Sequence, residues 1–104
     1  AYDQGKIIGM ICAGSLAALE AKIGLNDAIT SHPSVKDKLS ACTYCLLIPA
    51  FQYQESNVVV AGPLVTSRGP GTTFAFALTL VEKLVGAQVR QEITPPMMLS
   101  QEHL

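Results

Sequence analysis

One cysteine lies where the sequence pattern changes from a strand to a helix. Residues 6–11 form a short apolar run with β-branched members, which predicts a buried strand of the parallel kind. Cys12 follows this run directly, and a helical period begins after Gly14 and Ser15. The order strand, nucleophile, helix is typical of a nucleophile elbow.

The elbow predicts a reactive thiol at Cys12. The first N–H groups of a helix have no acceptor within the helix and carry a partial positive charge, which stabilises a thiolate more than a thiol. Ala13 and Gly14 are small, so their backbone N–H groups are predicted to form an oxyanion hole. A buried structural cysteine at a tight turn is the alternative interpretation, and the pattern alone leaves it open.

His32 is the second candidate catalytic residue. It follows a short predicted strand at residues 28–30 and precedes Pro33. In open α/β sheets, functional sites gather at the carboxyl ends of the strands, so His32 and Cys12 are expected at the same edge. A Cys–His pair activates a nucleophile or moves a proton. A surface or helix-capping histidine is the alternative, and His103 is interpreted as an exposed tail residue.

A third feature is the glycine-rich segment at residues 67–72, again between a strand and a helix. Arg68 is a candidate substrate contact, and Gly69 and Pro70 are grouped with it as substrate-contact or structural residues. The segment is not a P-loop, because the Gly-Lys-Ser/Thr ending is missing. A helix start capped by Thr72 or Thr73 is the favoured interpretation.

Composition and cysteine count exclude several classes of protein. The chain has 104 residues, 49% hydrophobic and 14% charged, with a net charge of −1, which excludes disorder and gives no sign of nucleic-acid binding. No apolar run is long enough for a membrane span. Cys42 and Cys45 form a C-x-x-C pair without a second pair or a nearby histidine pair, so we expect no metal site. Three reduced thiols are expected.

The alternation of strands and helices predicts an α/β layer fold with a mainly parallel sheet. Strands are predicted at residues 6–11, 28–30, 52–60 and 64–67, the last two as a hairpin, and helices at 16–23, about 33–39 and about 72–85. The last helix is predicted to bury Phe74, Ala77, Leu78, Val81 and Val85, with Phe76 and Leu80 on its flank. Residues 87–104 are expected to form an extended tail, and with Pro95 and Pro96 in it the pattern predicts no particular helix or strand there.

Three motifs in this order resemble the DJ-one branch of the ThiJ/PfpI superfamily. They are residues 11–14, 30–33 and 66–72, and the resemblance covers roughly residues 5–86. It implies a flavodoxin-like three-layer sandwich, usually a homodimer. It also implies that Cys12 is a nucleophile readily oxidised to the sulfinic acid, with His32 as its partner.

The resemblance implies a function as well. Members are cofactor-independent glyoxalases or deglycases that act on methylglyoxal-type aldehydes or glycated groups, and they serve in oxidative-stress sensing and protection. A cytoplasmic protein is expected, with nuclear or mitochondrial pools. A truncated, non-catalytic chain that acts as a redox-responsive chaperone or interaction module is the alternative function.

The chain departs from the family pattern in two respects. It matches only the C-terminal portion, so the N-terminal strands and the acidic residue that hydrogen-bonds the cysteine have no counterpart here. With no initiator Met and no signal peptide visible, we expect a fragment or a processed chain, either oligomeric, associated with the missing half, or prone to aggregate. The second departure is an atypical apolar insertion at about residues 42–51.

Overall fold

The fold was obtained as a computed structural model, which describes residues 2–41 and 50–101. The predictions for Cys42, Cys45, His103 and most of the apolar insertion therefore lie outside the described residues. The strands are β1 (Ile8–Ile11), β2 (Ala28–Ile29), β3 (Gln52–Tyr53), β4 (Val58–Ala61) and β5 (Leu64–Ser67). The helices are α1 (Leu16–Ala21), α2 (Lys36–Ser40), α3 (Thr73–Val85) and α4 (Ala87–Ile93).

Two small sheets organise the chain. In the first, the strand order is β1-β5-β4, with β1 parallel to β5 and β4 antiparallel to β5. Ile8 lies opposite Leu64 and Ile11 lies opposite Ser67, so both β1 and β5 end at the same edge. In the second, β2 pairs in parallel with β3. The predicted α/β class with a mainly parallel sheet is confirmed.

The predicted long strand at residues 52–60 is wrong in one respect. It is divided into β3 and β4, which belong to different sheets, and only β4 forms the hairpin with β5. The reason lies in the polar segment at residues 54–57 (Gln-Glu-Ser-Asn), which is exposed to solvent and separates the two strands. The division places Tyr53, at the end of β3, beside the end of β2.

The core lies between β5, β2 and the helices. Its buried cluster comprises Ala18, Ile29, Leu39, Ala50, Phe51 and Leu64. All four residues of β5 are buried, as expected for a central strand covered on both faces. Helix α1 ends earlier than predicted, because Lys22 already adopts the left-handed conformation that stops it, two residues before Gly24.

The predicted buried face of α3 is also wrong in part. The buried residues are Ala75, Leu78 and Thr79, whereas Phe74 is 48% and Val85 61% exposed. A Cβ at Gly9 would lie 2.9 Å from Phe76 Cζ, so the absence of a side chain at this position of β1 lets Phe76, on the flank of α3, approach the strand.

The part of the tail that is described is helical. Helix α4 follows directly after Gly86, and Thr94 leads into a short 3-10 turn at Pro95–Met97. No helix in the described ranges is long and apolar enough to cross a membrane.

Candidate active site

Cys12 lies at the joint between β1 and the helical segment that leads into α1. Ile11 still has extended backbone angles, with φ −136° and ψ 149°, while Cys12 has φ +62°. A non-glycine residue in the left-handed region is uncommon, and such residues cluster at functional sites. Cys12 then begins a 3-10 turn over Cys12–Ser15 that continues as α1. Its side chain is half-buried, so the thiol is within reach of solvent.

Ala13 and Gly14 form the first turn beyond Cys12, and both are exposed. Their backbone N–H groups are at the start of the helical segment, where no preceding turn supplies an acceptor. A Cβ at Gly14 would meet no heavy atom within 4 Å, so the space above this turn is open. The turn can therefore receive a small group beside the sulfur.

His32 is joined to Cys12 through the backbone. The His32 N–H donates a hydrogen bond to the carbonyl oxygen of Cys12 over 3.2 Å. The sequence predicts both residues at one edge of a parallel sheet, whereas in the structure β1 and β2 belong to different sheets, and this hydrogen bond joins the ends of the two strands. His32 is exposed, and its ring nitrogen Nδ1 accepts a hydrogen bond from the Ser34 N–H over 3.1 Å.

Arg68 lies beside this pair but is occupied by protein groups. Its Nε donates to the carbonyl oxygen of Ser31 over 3.1 Å, and its Nη2 donates to the hydroxyl of Tyr53 over 3.4 Å. The guanidinium also lies over the Tyr53 ring, 6.0 Å from its centre. These bonds fix the residue that precedes His32, so the geometry favours the structural role over the substrate contact.

Gly69 and Pro70 belong to the start of α3. The N–H groups of Arg68 and Gly69 both donate to the Thr72 hydroxyl, over 3.2 and 3.1 Å. These are the groups that would otherwise bind an anion. Gly69 also lies close to the histidine, since a Cβ there would be 3.8 Å from His32 Cδ2. The geometry agrees with a capped helix start.

Tyr53 belongs to the site although its sequence context did not indicate it. Its hydroxyl donates to the carbonyl oxygen of Ser31 over 3.0 Å and lies 2.9 Å from the Ser31 hydroxyl. Burial alone would raise the pKa of the Tyr53 phenol, but hydrogen bonds with Ser31 and Arg68 and the Arg68 charge outweigh it, so the pKa is lowered.

An exposed ion pair flanks Tyr53. Lys36 Nζ lies 2.7 Å from Glu55 Oε1 and 5.4 Å from the centre of the Tyr53 ring. The hydrogen bond and charge of Glu55 raise the pKa of Lys36, and Lys36 lowers the pKa of Glu55 in the same way. Because both side chains are in solvent, the pair contributes little to stability.

The described residues contain no group of three or more His, Cys, Asp or Glu side chains placed to hold a metal ion. This part of the chain offers a half-buried thiol at a helix start, exposed backbone N–H groups, and an imidazole on a residue whose backbone is hydrogen-bonded to that of Cys12. That set is suited to nucleophilic addition to a carbonyl.

A family model described as "DJ-1/PfpI family" matches residues 1–83 of the chain. The chain belongs to the DJ-1/PfpI family. It is 42% identical over 93 residues to the Parkinson disease protein 7 homolog of Danio rerio, covering 89% of this chain and 46% of that protein. It is 37% identical over 97 residues to the glutathione-independent glyoxalase DJR-1.2 of Caenorhabditis elegans, covering 93% and 48%.

Solved structures of DJ-1/PfpI proteins share this fold. Schizosaccharomyces pombe DJ-1 superposes with a TM-score of 0.79 at 34% identity, covering 91% of this chain and 46% of that one. Drosophila melanogaster DJ-1beta gives 0.79 at 31% identity, covering 94% and 49%. The predicted family and its flavodoxin-like fold are thus confirmed, and the chain spans about half the length of these relatives.

Proposed function

We propose that this DJ-1/PfpI chain provides the nucleophile of a cofactor-independent glyoxalase or deglycase that acts on methylglyoxal-type aldehydes or glycated groups. One observation carries the proposal: the His32 N–H is hydrogen-bonded to the carbonyl oxygen of Cys12, so the backbone of the residue that bears the imidazole is held against the backbone of Cys12, whose φ is +62°. Two relatives bear the name glutathione-independent glyoxalase, which supports the substrate class.

The proposed reaction needs no external oxidant. The Cys12 thiolate forms a C–S bond with the aldehyde carbon, and the carbonyl π electrons move to oxygen, giving a hemithioacetal after protonation. The N–H groups of Ala13 and Gly14 stabilise the negative oxygen. The aldehyde C–H proton then moves to the neighbouring carbonyl carbon, which oxidises the first carbon to a thioester and reduces the second to an alcohol. Water cleaves the thioester, releasing a hydroxy acid and the thiol.

The roles proposed for the remaining residues follow their contacts. We assign to His32 a hydrogen bond with the substrate oxygen, since its ring is exposed and its backbone is bonded to that of Cys12. Arg68, Gly69 and Pro70 support the site from β5 and the start of α3 without touching substrate. The resemblance alone supports a cytoplasmic protein with nuclear or mitochondrial pools, and oxidation of Cys12 to the sulfinic acid under stress.

Cysteine replacement in the complete protein tests this function. Cys12→Ser should reduce glutathione-independent loss of methylglyoxal to the background rate, because a hydroxyl does not ionise at neutral pH. Cys42→Ser and Cys45→Ser are the matched controls and should keep the wild-type rate. Turnover that survives Cys12→Ser would refute the proposal.

A second candidate function rests on exposed apolar side chains. Leu84, Val85 and Met98 are 67%, 61% and 88% exposed, and they lie near the ends of α3 and the tail. Exposed apolar side chains of this kind support the alternative of a chaperone or protein-interaction module, through a homodimer or through association with the other half of the domain. Light scattering of the chain with and without Leu84→Asp and Met98→Asp tests it: both substitutions should lower the apparent mass if this surface mediates association. An unchanged mass would argue against it.

A further inference from the structure

The imidazole of His32 also caps a helical turn, and this contact restricts which ring nitrogen carries the proton. His32 is the N-cap of the short 3-10 turn Pro33–Val35, with extended backbone angles of φ −60° and ψ 138°. Its Nδ1 accepts the Ser34 backbone N–H over 3.1 Å, and the Ser34 hydroxyl lies 2.8 Å from the same nitrogen. The ring therefore caps the turn in the way that an Asn or Ser side chain usually does.

This contact decides where the ring carries its proton. A backbone N–H can only donate, so Nδ1 must present its lone pair, and the Ser34 hydroxyl then donates to it as well. A neutral imidazole has one protonated nitrogen, which leaves the proton on Nε2. Among the described residues, none forms a hydrogen bond with Nε2, so this N–H is available to a bound molecule.

We propose that His32 acts as a neutral hydrogen-bond donor, through Nε2–H, to the carbonyl oxygen of the aldehyde that adds to Cys12, and that Ser34 is the positioning residue that fixes this tautomer. The inference rests on the function proposed above and assigns the direction of one hydrogen bond within it. The donor would complete the oxyanion hole formed by the backbone of Ala13 and Gly14.

The same geometry argues against His32 as the base that deprotonates Cys12. A base at Nε2 needs a lone pair there, and the neutral ring supplies one only by moving its proton to Nδ1. A proton on Nδ1 would face the Ser34 N–H, and the cap would be lost. Ser34 should therefore affect turnover but not the reactivity of the thiol.

Nitrogen NMR of the His32 ring in the complete protein provides the direct test. With the ring neutral, Nε2 should show the shift of a protonated nitrogen and Nδ1 that of an unprotonated one. Addition of methylglyoxal should move the Nε2 resonance in the wild type and leave it in place in Cys12→Ser. A proton on Nδ1, or an Nε2 resonance that methylglyoxal does not move in the wild type, would overturn the inference.

Kinetics separate positioning from a merely structural effect. Ser34→Ala removes one neutral hydrogen bond and should lower kcat about fivefold with KM unchanged. Alkylation of Cys12 by iodoacetamide should keep its wild-type rate. Ser34→Thr retains the hydroxyl and should restore kcat, and Ser56→Ala, an exposed serine before β4, is the matched control. Equal kcat values in Ser34→Ala and Ser56→Ala would show that the Ser34 hydroxyl has no such role.

The two proposals fail in different ways. If Cys12→Ser keeps full turnover, the proposed function is refuted whatever tautomer the ring adopts. If the ring carries its proton on Nδ1 while Cys12 remains essential, the function stands and only the donor role of His32 is lost.

Discussion

Tyr53 and Ser31 are joined across two strands by a hydrogen bond from the phenol to the carbonyl oxygen of Ser31, 3.0 Å long. Ser31 is fully buried and directly precedes His32. The same carbonyl oxygen accepts from Arg68 Nε over 3.1 Å, so donors from β3 and from the end of β5 converge on one atom. The backbone that carries His32 is thereby held from two sides, and its position relative to Cys12 depends on both.

Replacement of Tyr53 by phenylalanine should loosen this support. Tyr53→Phe keeps the ring and removes the hydroxyl that bonds Ser31, so we expect a loss of about 1 kcal/mol in the free energy of unfolding. Urea denaturation measures it, and kcat for methylglyoxal should fall while KM stays constant. Tyr2→Phe, in the first 3-10 turn, is the matched control. An equal cost for both substitutions would mean that the Ser31 contact contributes nothing.

Substitution of Arg68 distinguishes a supporting residue from a substrate contact. Lysine keeps the charge, but its single ammonium group cannot replace the two guanidinium nitrogens that bond Ser31 and Tyr53. We therefore expect Arg68→Lys to lower stability by about 1–3 kcal/mol and kcat with it, and to leave KM unchanged. Steady-state kinetics and thermal unfolding check this. A large rise in KM with normal stability would instead assign Arg68 to substrate binding.

Arg90→Lys serves as the control for that experiment. Arg90 lies 3.6 Å from Glu82 on the exposed side of α3 and α4, and a lysine can keep this single contact. Its stability and kinetics should match those of the wild type.

The exposed pair of Lys36 and Glu55 predicts a small pH dependence of stability. Lys36 lowers the pKa of Glu55, so the contribution of this carboxylate is present above its unfolded pKa of about 4.3 and is lost as pH falls through the lower folded value. Glu55→Gln should therefore be less stable than the wild type near neutral pH, and the gap should close on acidification. Urea titrations at several pH values measure it.

Glu20→Gln, on the exposed surface of α1, controls for the general effect of removing a carboxylate. A gap between wild type and Glu55→Gln that stays constant at all pH values would contradict the assignment to this ion pair.

Packing at Gly9 predicts a larger loss of stability. A Cβ at Gly9 would lie 2.9 Å from Phe76 Cζ and 3.4 Å from both Leu80 methyl carbons, so α3 would have to shift outward. We expect Gly9→Ala to cost about 1–3 kcal/mol, as overpacking does. Gly71→Ala is the matched control, because a Cβ there has no neighbour within 4 Å. Chemical denaturation compares the free energies of unfolding of the two variants. Similar values would show that α3 shifts outward at no measurable cost.

The sequence predicted the Cys12–His32 pair because its signals are local. The change from an apolar run to a helical period identifies the joint at Cys12, and Pro33 identifies the turn after His32. The sequence alone places both residues after strands, where functional sites of α/β folds gather, and the structure adds the hydrogen bond that joins their backbones although β1 and β2 belong to different sheets.

Other features had no local signal. Tyr53 reaches Ser31 only because β3 pairs with β2, two short strands far apart along the chain. The buried face of α3 was misplaced because apolar residues occur all round that helix, so periodicity does not select one face. The close approach of Phe76 to β1 likewise depends on Gly9, a residue far from α3 along the chain.

The two tasks of His32, capping a turn and serving the substrate, can be separated by substitution. His32→Ala removes the cap and should cost about 1 kcal/mol of stability, whereas His32→Asn keeps a capping oxygen for the Ser34 N–H and should cost less. Neither side chain extends as far as Nε2, so both should lose most of the methylglyoxal turnover. Thermal unfolding and steady-state kinetics on the same samples compare the pair. If His32→Asn retained the wild-type kcat, the imidazole would be only a cap, and the role proposed for it beside Cys12 would have to be abandoned.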